Sequence, residues 1–156
     1  MSQFWVYVAV AGVLVPAAVA LLFVRRRLLL VSVVGRSMEP TLRAGDRVLA
    51  RRARVDEVRR GDVVVVVAPA KMRPEAAEAE RGLLIKRAFA VPGDPAPVDR
   101  VPALRGLPDA EVPPGHLVVL GDNPPWSYDS RECGYLTAES VLGVVIRPRL
   151  RPDRRE

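Results

Sequence analysis

Short valine-rich segments separated by a repeated Gly-Asp pair constrain the fold of this chain most strongly. Strand-like segments lie at 28–34, 47–51, 63–68, 83–91, 116–120 and 141–147. Each is bounded by Gly, Pro or Asp, and Gly-Asp recurs at 45–46, 61–62, 93–94 and 121–122 beside these segments, which is typical of tight turns. No strong helical segments separate the strands. The pattern therefore predicts a mainly β fold, a small antiparallel barrel or sandwich-like domain, rather than βαβ units.

An apolar segment precedes the β-rich part. Phe4 to Val24 is uncharged over 21 residues, and a helix of that length reaches about 30 Å, enough to span a bilayer. It is longer than the apolar core of a cleavable leader, and no basic segment precedes it. We therefore expect a single N-terminal transmembrane anchor with a basic flank over 1–27, a β-rich domain over 28–150 and a basic tail over 151–156. Irregular excursions are expected at 70–82 and 95–114.

The arginines after the apolar segment bear on its orientation. Arg25, Arg26 and Arg27 follow it directly, and the positive-inside rule would place the rest of the chain in the cytoplasm. The function inferred below favours the opposite, extracytoplasmic side of the cell membrane. The sequence leaves these two orientations open.

Charge and rare residues exclude several functions. The formal net charge is +6, but the arginines are scattered and form neither a zinc-finger spacing nor one basic helix face, so we expect no nucleic-acid partner. Cys133 is the single cysteine and cannot form an intramolecular disulfide. His116 is the single histidine, so a structural zinc site lacks ligands. We expect no metal or cofactor, and the sequence leaves the oligomeric state open.

Ser37 and Lys86 are the candidate catalytic residues of this sequence. Ser37 lies between a glycine-containing turn and Pro40, which stiffens the chain that follows. Only Lys71 and Lys86 are lysines among the 24 basic residues, and an ammonium can lose its proton whereas a guanidinium cannot. Lys86 lies within an apolar strand, where burial lowers the pKa of an amine toward the range of a general base. The alternative is a strand-edge lysine whose amine reaches water.

A third polar cluster follows the strand at 116–120. It contains Gly121-Asp122-Asn123, then Ser127 and Asp129-Ser130-Arg131. These residues form turns and hydrogen bonds readily, so the segment could brace an active site or could be no more than an Asx-rich turn.

The chain thus has three polar clusters, one around Ser37, one around Lys86 and one at 121–131. Their order and residue types resemble signal peptidase I, the serine–lysine family of membrane-anchored proteases that trim exported proteins. The match extends from about Val33 to Gly143. Only 27 residues separate Asp94 from Asp122, so the resemblance is to the compact members without an extra cap domain.

The resemblance implies a role for each motif residue. Ser37 would be the nucleophile, Lys86 the general base and Ser127 the hydroxyl that orients the lysine amine. Asp129 and Arg131 would form a structural ion pair. Some relatives supply an oxyanion donor from a serine two residues before the nucleophile, and that position here is Gly35. The oxyanion and substrate-loop candidates are Gly35, Arg36 and Met38, and the remaining structural motif residues are Pro40, Gly93, Asp94, Gly121, Asp122, Asn123 and Ser130.

The resemblance also implies the substrate. Exported precursors would be cut after small residues of an Ala-X-Ala pattern, with the signal peptide bound as an extended strand. Ala68-Pro69-Ala70 fits that pattern within this chain and would permit self-cleavage.

Three alternatives remain open from the sequence. The self-cleaving repressor proteases share the serine and lysine motifs but lack an anchor and the Gly-Asp-Asn loop. A dedicated maturation peptidase of the same family, acting in the cytoplasm, would suit Arg25 to Arg27. A non-catalytic membrane-anchored β module would bind peptides without cutting them.

Overall fold

The computed structural model describes residues 2–69 and 82–150. The expected excursion at 70–82 lies outside the described residues except for Gly82, and so does Ala70 of the Ala-X-Ala triplet. The elements in chain order are α1 Ser2–Arg27, β1 Leu28–Ser32, β2 Arg47–Arg52, β3 Val63–Val67, β4 Leu83–Ala90, β5 His116–Leu120, α2 Ser130–Cys133, β6 Leu136–Thr137 and β7 Val141–Leu150.

The strands form one curled, half-barrel sheet in the order β1-β2-β7-β3-β4-β5-β6. Every neighbouring pair is antiparallel. The mainly β prediction is confirmed, and all six predicted strands are present. The sheet is open rather than a closed barrel, because β1 and β6 lie at opposite edges. The two-residue strand β6 was missed, since so short a segment carries no alternating pattern.

Apolar side chains cover both faces of the sheet. Successive strand residues point to opposite faces, and β3 shows this directly: Val64 and Val66 lie in one buried cluster and Val65 lies in the other. On β4, Ile85 belongs to the cluster of Val65, while Ala88 belongs to that of Val64. Because both faces of the sheet are buried, the central strand β3 is a continuous run of valines rather than an alternation of apolar and polar residues.

Three of the four Gly-Asp pairs form the same turn. The carboxylates of Asp46, Asp62 and Asp94 each accept a hydrogen bond from the backbone N–H three residues earlier, at 2.9, 2.9 and 3.0 Å. The preceding glycines have φ between +85° and +92°, a region that side chains disfavour and glycine enters freely. The repeated pair is thus a self-capping turn that ends one segment and starts the next.

The excursion at 95–114 is irregular but packs onto the sheet. An isolated bridge joins Pro95 to Glu111. Val101, Leu104 and Val112 are at most 1% exposed and form a third apolar cluster with Val118 of β5. The excursion therefore covers the end of the sheet that carries β5.

Helix α1 runs straight into β1 and ends with Arg25, Arg26 and Arg27. Across residues 2–69 and 82–150, we find no helix that combines the length and the apolar character needed to cross a bilayer. The expected transmembrane anchor is therefore unsupported by the structure.

Candidate active site

Lys86 is held inside the fold by strand β4. It pairs with Val64 of β3 and lies between Leu84 and Ala88, two residues of one apolar cluster. Its side chain therefore points to the same face as theirs, and the residue is only 3% exposed. The interpretation of Lys86 as a solvated edge lysine is thereby excluded.

The amine of Lys86 has a hydroxyl partner. Lys86 Nζ donates to Ser127 Oγ at 2.8 Å, and Ser127 Oγ donates to Asp129 Oδ2 at 2.7 Å. Asp129 also accepts from the N–H of Gly121 at 2.8 Å and from the Arg131 guanidinium at 3.0 and 2.6 Å. A buried carboxylate with this many donors fixes the Ser127 hydroxyl in one orientation.

The surroundings change the pKa values of both charged groups. Burial lowers the pKa of the Lys86 amine below that of a solvated lysine, and the negative charge of Asp129 opposes this only in part. Burial alone would raise the pKa of Asp129, but hydrogen bonds from Arg131, Gly121 and Ser127 outweigh it and lower that pKa. The arrangement favours an ionised Asp129 beside an amine that loses its proton more easily than usual.

Ser37 joins this group through the backbone. Its carbonyl oxygen accepts from the N–H of Asn123 at 2.9 Å, and it lies so close to Gly121 that a Cβ there would sit 2.7 Å from it and would overlap Ser127. Gly121 is therefore the point at which the loop of Ser37 packs against Ser127, the hydrogen-bond partner of Lys86. Among the described residues, no hydrogen bond joins the Ser37 hydroxyl to the Lys86 amine.

The fourth Gly-Asp pair departs from the turn that the other three form. Asp122 accepts from Arg87 Nε at 2.8 Å and Arg87 Nη2 at 2.6 Å, and from Thr41 Oγ1 at 2.6 Å. Burial would raise the pKa of Asp122, but these bonds from Arg87 and Thr41 outweigh it and lower that pKa. Arg87 thus pairs with an acid. Asp122 ties β4, just after Lys86, to the loop after Ser37.

The loop around Ser37 is anchored on one side and open on the other. Met38 is 2% exposed and Leu42 is fully buried, in the apolar cluster of Val65, so Met38 packs beneath the loop. Arg36 is exposed, and its guanidinium lies 4.6 Å from the Trp126 ring centre. Gly35 has φ +80°, where a serine side chain would be strained.

The other motif residues have structural placements. Ser130 is fully buried and accepts from the N–H of Val119 at 2.9 Å. Gly93 and Asp94 form one of the self-capping turns, and Pro40 follows Glu39 through a cis peptide bond. In the described ranges, no group of three or more His, Cys, Asp or Glu side chains is arranged to hold a metal ion.

The sequence interpretation missed two contacts. The Thr41 hydroxyl lies within the matched motif, but its partner is 81 positions away. The stack of Arg36 on Trp126 was also missed, although a tryptophan inside a polar loop was a signal that could have indicated it.

Comparison with known proteins agrees with this geometry. The sequence profile of the family described as "Signal peptidase, peptidase S26" matches residues 5–100 and 96–148. "Probable signal peptidase I-1" of Synechocystis sp. is 28% identical over 128 residues, covering 70% of this chain and 65% of the relative. "Signal peptidase I" of Leptolyngbya laminosa is 31% identical over 132 residues, covering 70% and 63%. "Thylakoidal processing peptidase 1, chloroplastic" of Arabidopsis thaliana is 33% identical over 137 residues, covering 74% and 40%.

The chain therefore belongs to the signal peptidase, peptidase S26, family, as the resemblance of its motifs implied. It spans between 40% and 65% of the length of these relatives.

The buried Asp129 gives a stability prediction. Asp129→Asn should lower the free energy of unfolding by about 2–3 kcal/mol, because an amide cannot satisfy all the donors that the buried carboxylate accepts from Gly121, Ser127 and Arg131. Asp56→Asn is the matched control: its partner Arg54 is 3.3 Å away and both side chains are more than half exposed, so it should cost at most about 1 kcal/mol. Urea unfolding measures both.

The lowered pKa of Asp129 sets the direction of its pH dependence. Its stabilisation should be complete above the unfolded carboxyl pKa of about 3.9 and should be lost as the pH falls toward the folded value. Asp129→Asn should remove part of this acid sensitivity. Equal losses of unfolding free energy in Asp129→Asn and Asp56→Asn would contradict the interpretation of Asp129 as a buried carboxylate that holds its neighbours in place.

Proposed function

We propose that this chain is a serine endopeptidase that removes signal peptides from exported precursors by a Ser37–Lys86 dyad. The cut follows small residues in an Ala-X-Ala pattern. The observation that carries the proposal is the burial of Lys86, a residue only 3% exposed. Its amine bonds Ser127 at 2.8 Å, and Ser127 lies on the loop that also holds the Ser37 backbone. A lysine with only a structural role would require no lowered pKa and no oriented hydroxyl.

The mechanism uses Lys86 twice. Neutral Lys86 takes the proton of Ser37 Oγ as that oxygen attacks the scissile carbonyl, and it then gives the proton to the departing amine. The acyl-enzyme ester is hydrolysed by a water that Lys86 deprotonates. The backbone N–H of Ser37 is one donor to the oxyanion. In the substrate complex the Ser37 side chain turns toward Lys86, as catalytic hydrogen bonds often tighten only there.

Two observations favour this function over the rival from another class. A non-catalytic peptide-binding module has no use for a buried lysine whose amine is bonded to the Ser127 hydroxyl, which is itself bonded to Asp129. The relatives quoted above carry peptidase names. The second candidate is a dedicated, cytoplasm-facing peptidase of the same family, which Arg25 to Arg27 favour. The number of different precursors that the enzyme cleaves distinguishes the two candidates.

Substitutions of the dyad test the function. Ser37→Ala and Lys86→Arg should each reduce processing of an Ala-X-Ala precursor at least about 1000-fold, because removing the nucleophile or the base leaves little beyond binding. His116→Ala should retain activity, since its ring bonds to the Pro114 carbonyl rather than to the dyad. Normal processing by Lys86→Arg would end the general-base proposal, and loss of activity in His116→Ala would indicate that His116 takes part in catalysis.

The lowered pKa of Lys86 predicts the shape of the pH profile. Only the neutral amine can accept the Ser37 proton, so kcat/KM should rise with pH. The apparent pKa of this rise in kcat/KM should lie below the value of about 10.4 for a solvated lysine. Steady-state cleavage of a peptide substrate across the alkaline range measures this limb. A profile that rises only above that value would show that the amine is not desolvated in the working enzyme.

Attachment to a membrane through α1 is part of the proposal, with the catalytic domain on the extracytoplasmic side. Its support is a set of exposed apolar side chains along the helix, among them Val13, Leu14, Val19 and Leu22, each at least 57% exposed. The protein should stay with membranes through a carbonate wash, and external protease should digest residues 28–150 in spheroplasts. Release by carbonate would refute the attachment, and protection from protease would place the domain in the cytoplasm.

A further inference from the structure

An exposed arginine lies on the chain immediately before the proposed nucleophile. The Arg36 guanidinium carbon lies 4.6 Å from the centre of the Trp126 ring, within the range of a cation–π contact. Trp126 is 60% exposed and directly precedes Ser127, the hydroxyl that holds Lys86. The two stacked side chains therefore come from the residues that adjoin Ser37 and Ser127.

Asn123 fixes both members of this stack. Its side-chain amide donates to the Arg36 carbonyl at 3.0 Å, and its own carbonyl accepts from the N–H of Trp126 at 3.0 Å. The backbone N–H of Asn123 holds the Ser37 carbonyl. The backbone of Arg36 is thus held by the same residue that holds the Ser37 carbonyl, so the Arg36 side chain leaves the chain from a fixed point next to the proposed nucleophile.

The chemistry of the stacked guanidinium identifies what it would bind. The Arg36 guanidinium carbon lies over the Trp126 ring, and the N–H groups of a guanidinium match the two oxygens of a carboxylate. Glu39 already approaches this guanidinium, with Arg36 Nε 3.3 Å from Glu39 Oε2. This contact is long for a charge-assisted hydrogen bond, so a substrate carboxylate can compete with it.

We propose that Arg36, held against Trp126, is a specificity-determining residue that favours precursors with an acidic side chain within a few residues of the cleaved bond. This inference rests on the proposed function, because it assigns a substrate preference to the same site. The internal Glu39 acts as a competitor that such a substrate side chain displaces.

Matched peptides test the preference. We consider one Ala-X-Ala substrate in three forms that differ only in carrying Glu, Gln or Lys next to the scissile bond, with the varied residue then moved along the flanking positions. The wild type should cleave the best-placed Glu form about fivefold more efficiently in kcat/KM than the Gln form, the scale expected of a partly exposed ion pair. Arg36→Glu should invert the order, so that the Lys form is cleaved best.

Two further variants separate the contact from general charge. Glu39→Gln should increase the Glu-over-Gln ratio, because the competing carboxylate is gone. Arg54→Glu changes the net charge as much as Arg36→Glu does, and Arg54 has its own carboxylate partner at 3.3 Å. It should leave the ratio of the three peptides as in the wild type. An unchanged ratio in Arg36→Glu at every position, or an equal change in Arg54→Glu, would overturn the proposal.

A binding measurement keeps this inference separate from the proposed function. Fluorescence anisotropy of the same labelled peptides with Ser37→Ala, alone and combined with Arg36→Glu, should show the same inversion in affinity. Inversion of affinity with no cleavage by the wild type would refute the peptidase while retaining the acidic preference. Cleavage and binding that both ignore the peptide charge would refute the preference while retaining the peptidase.

Discussion

The carboxylate of Asp129 is the interaction on which the site depends. It accepts hydrogen bonds from Gly121, Ser127 and Arg131, so a single buried charge links the end of β5, the lysine partner and helix α2. A buried carboxylate without such donors would be strongly unfavourable. Because all its donors are present, it stays ionised, orients Ser127 and places a counter-charge near Lys86 without cancelling the effect of burial on that amine.

Side chains on both faces of β4 hold the loop that carries Ser127. Lys86 points to one face and reaches Ser127, while Arg87, one position further along, points to the other face and reaches Asp122. Asp122 in turn binds Thr41, four residues after the proposed nucleophile. The loop that starts at Gly121 is therefore fixed from both sides of one strand, which explains why a short domain can hold two distant loops together.

Much of the fold follows from local sequence signals. The valine-rich segments gave six of the seven strands, since β-branched residues at period two between turn residues leave few other structures. The Gly-Asp pairs gave the turns, and three of them cap themselves with bonds that span only three residues. Local patterns missed β6 and did not show that 95–114 would pack as a third cluster, because both depend on contacts with β5. The transmembrane anchor expected from the apolar segment is not supported by the structure.

The sequence by itself determined six of the seven strand positions, the family and the presence of one lysine in an apolar strand, because these depend on residue type and short spacing. Only the tertiary structure decided that this lysine is buried against Ser127, that Asp122 leaves the turn pattern of the other Gly-Asp pairs, and that Arg36 stacks on Trp126. Each of these contacts joins residues at least 35 positions apart. Such contacts are set by how the sheet curls and by which loops meet at its edge, and no local preference of the chain specifies them.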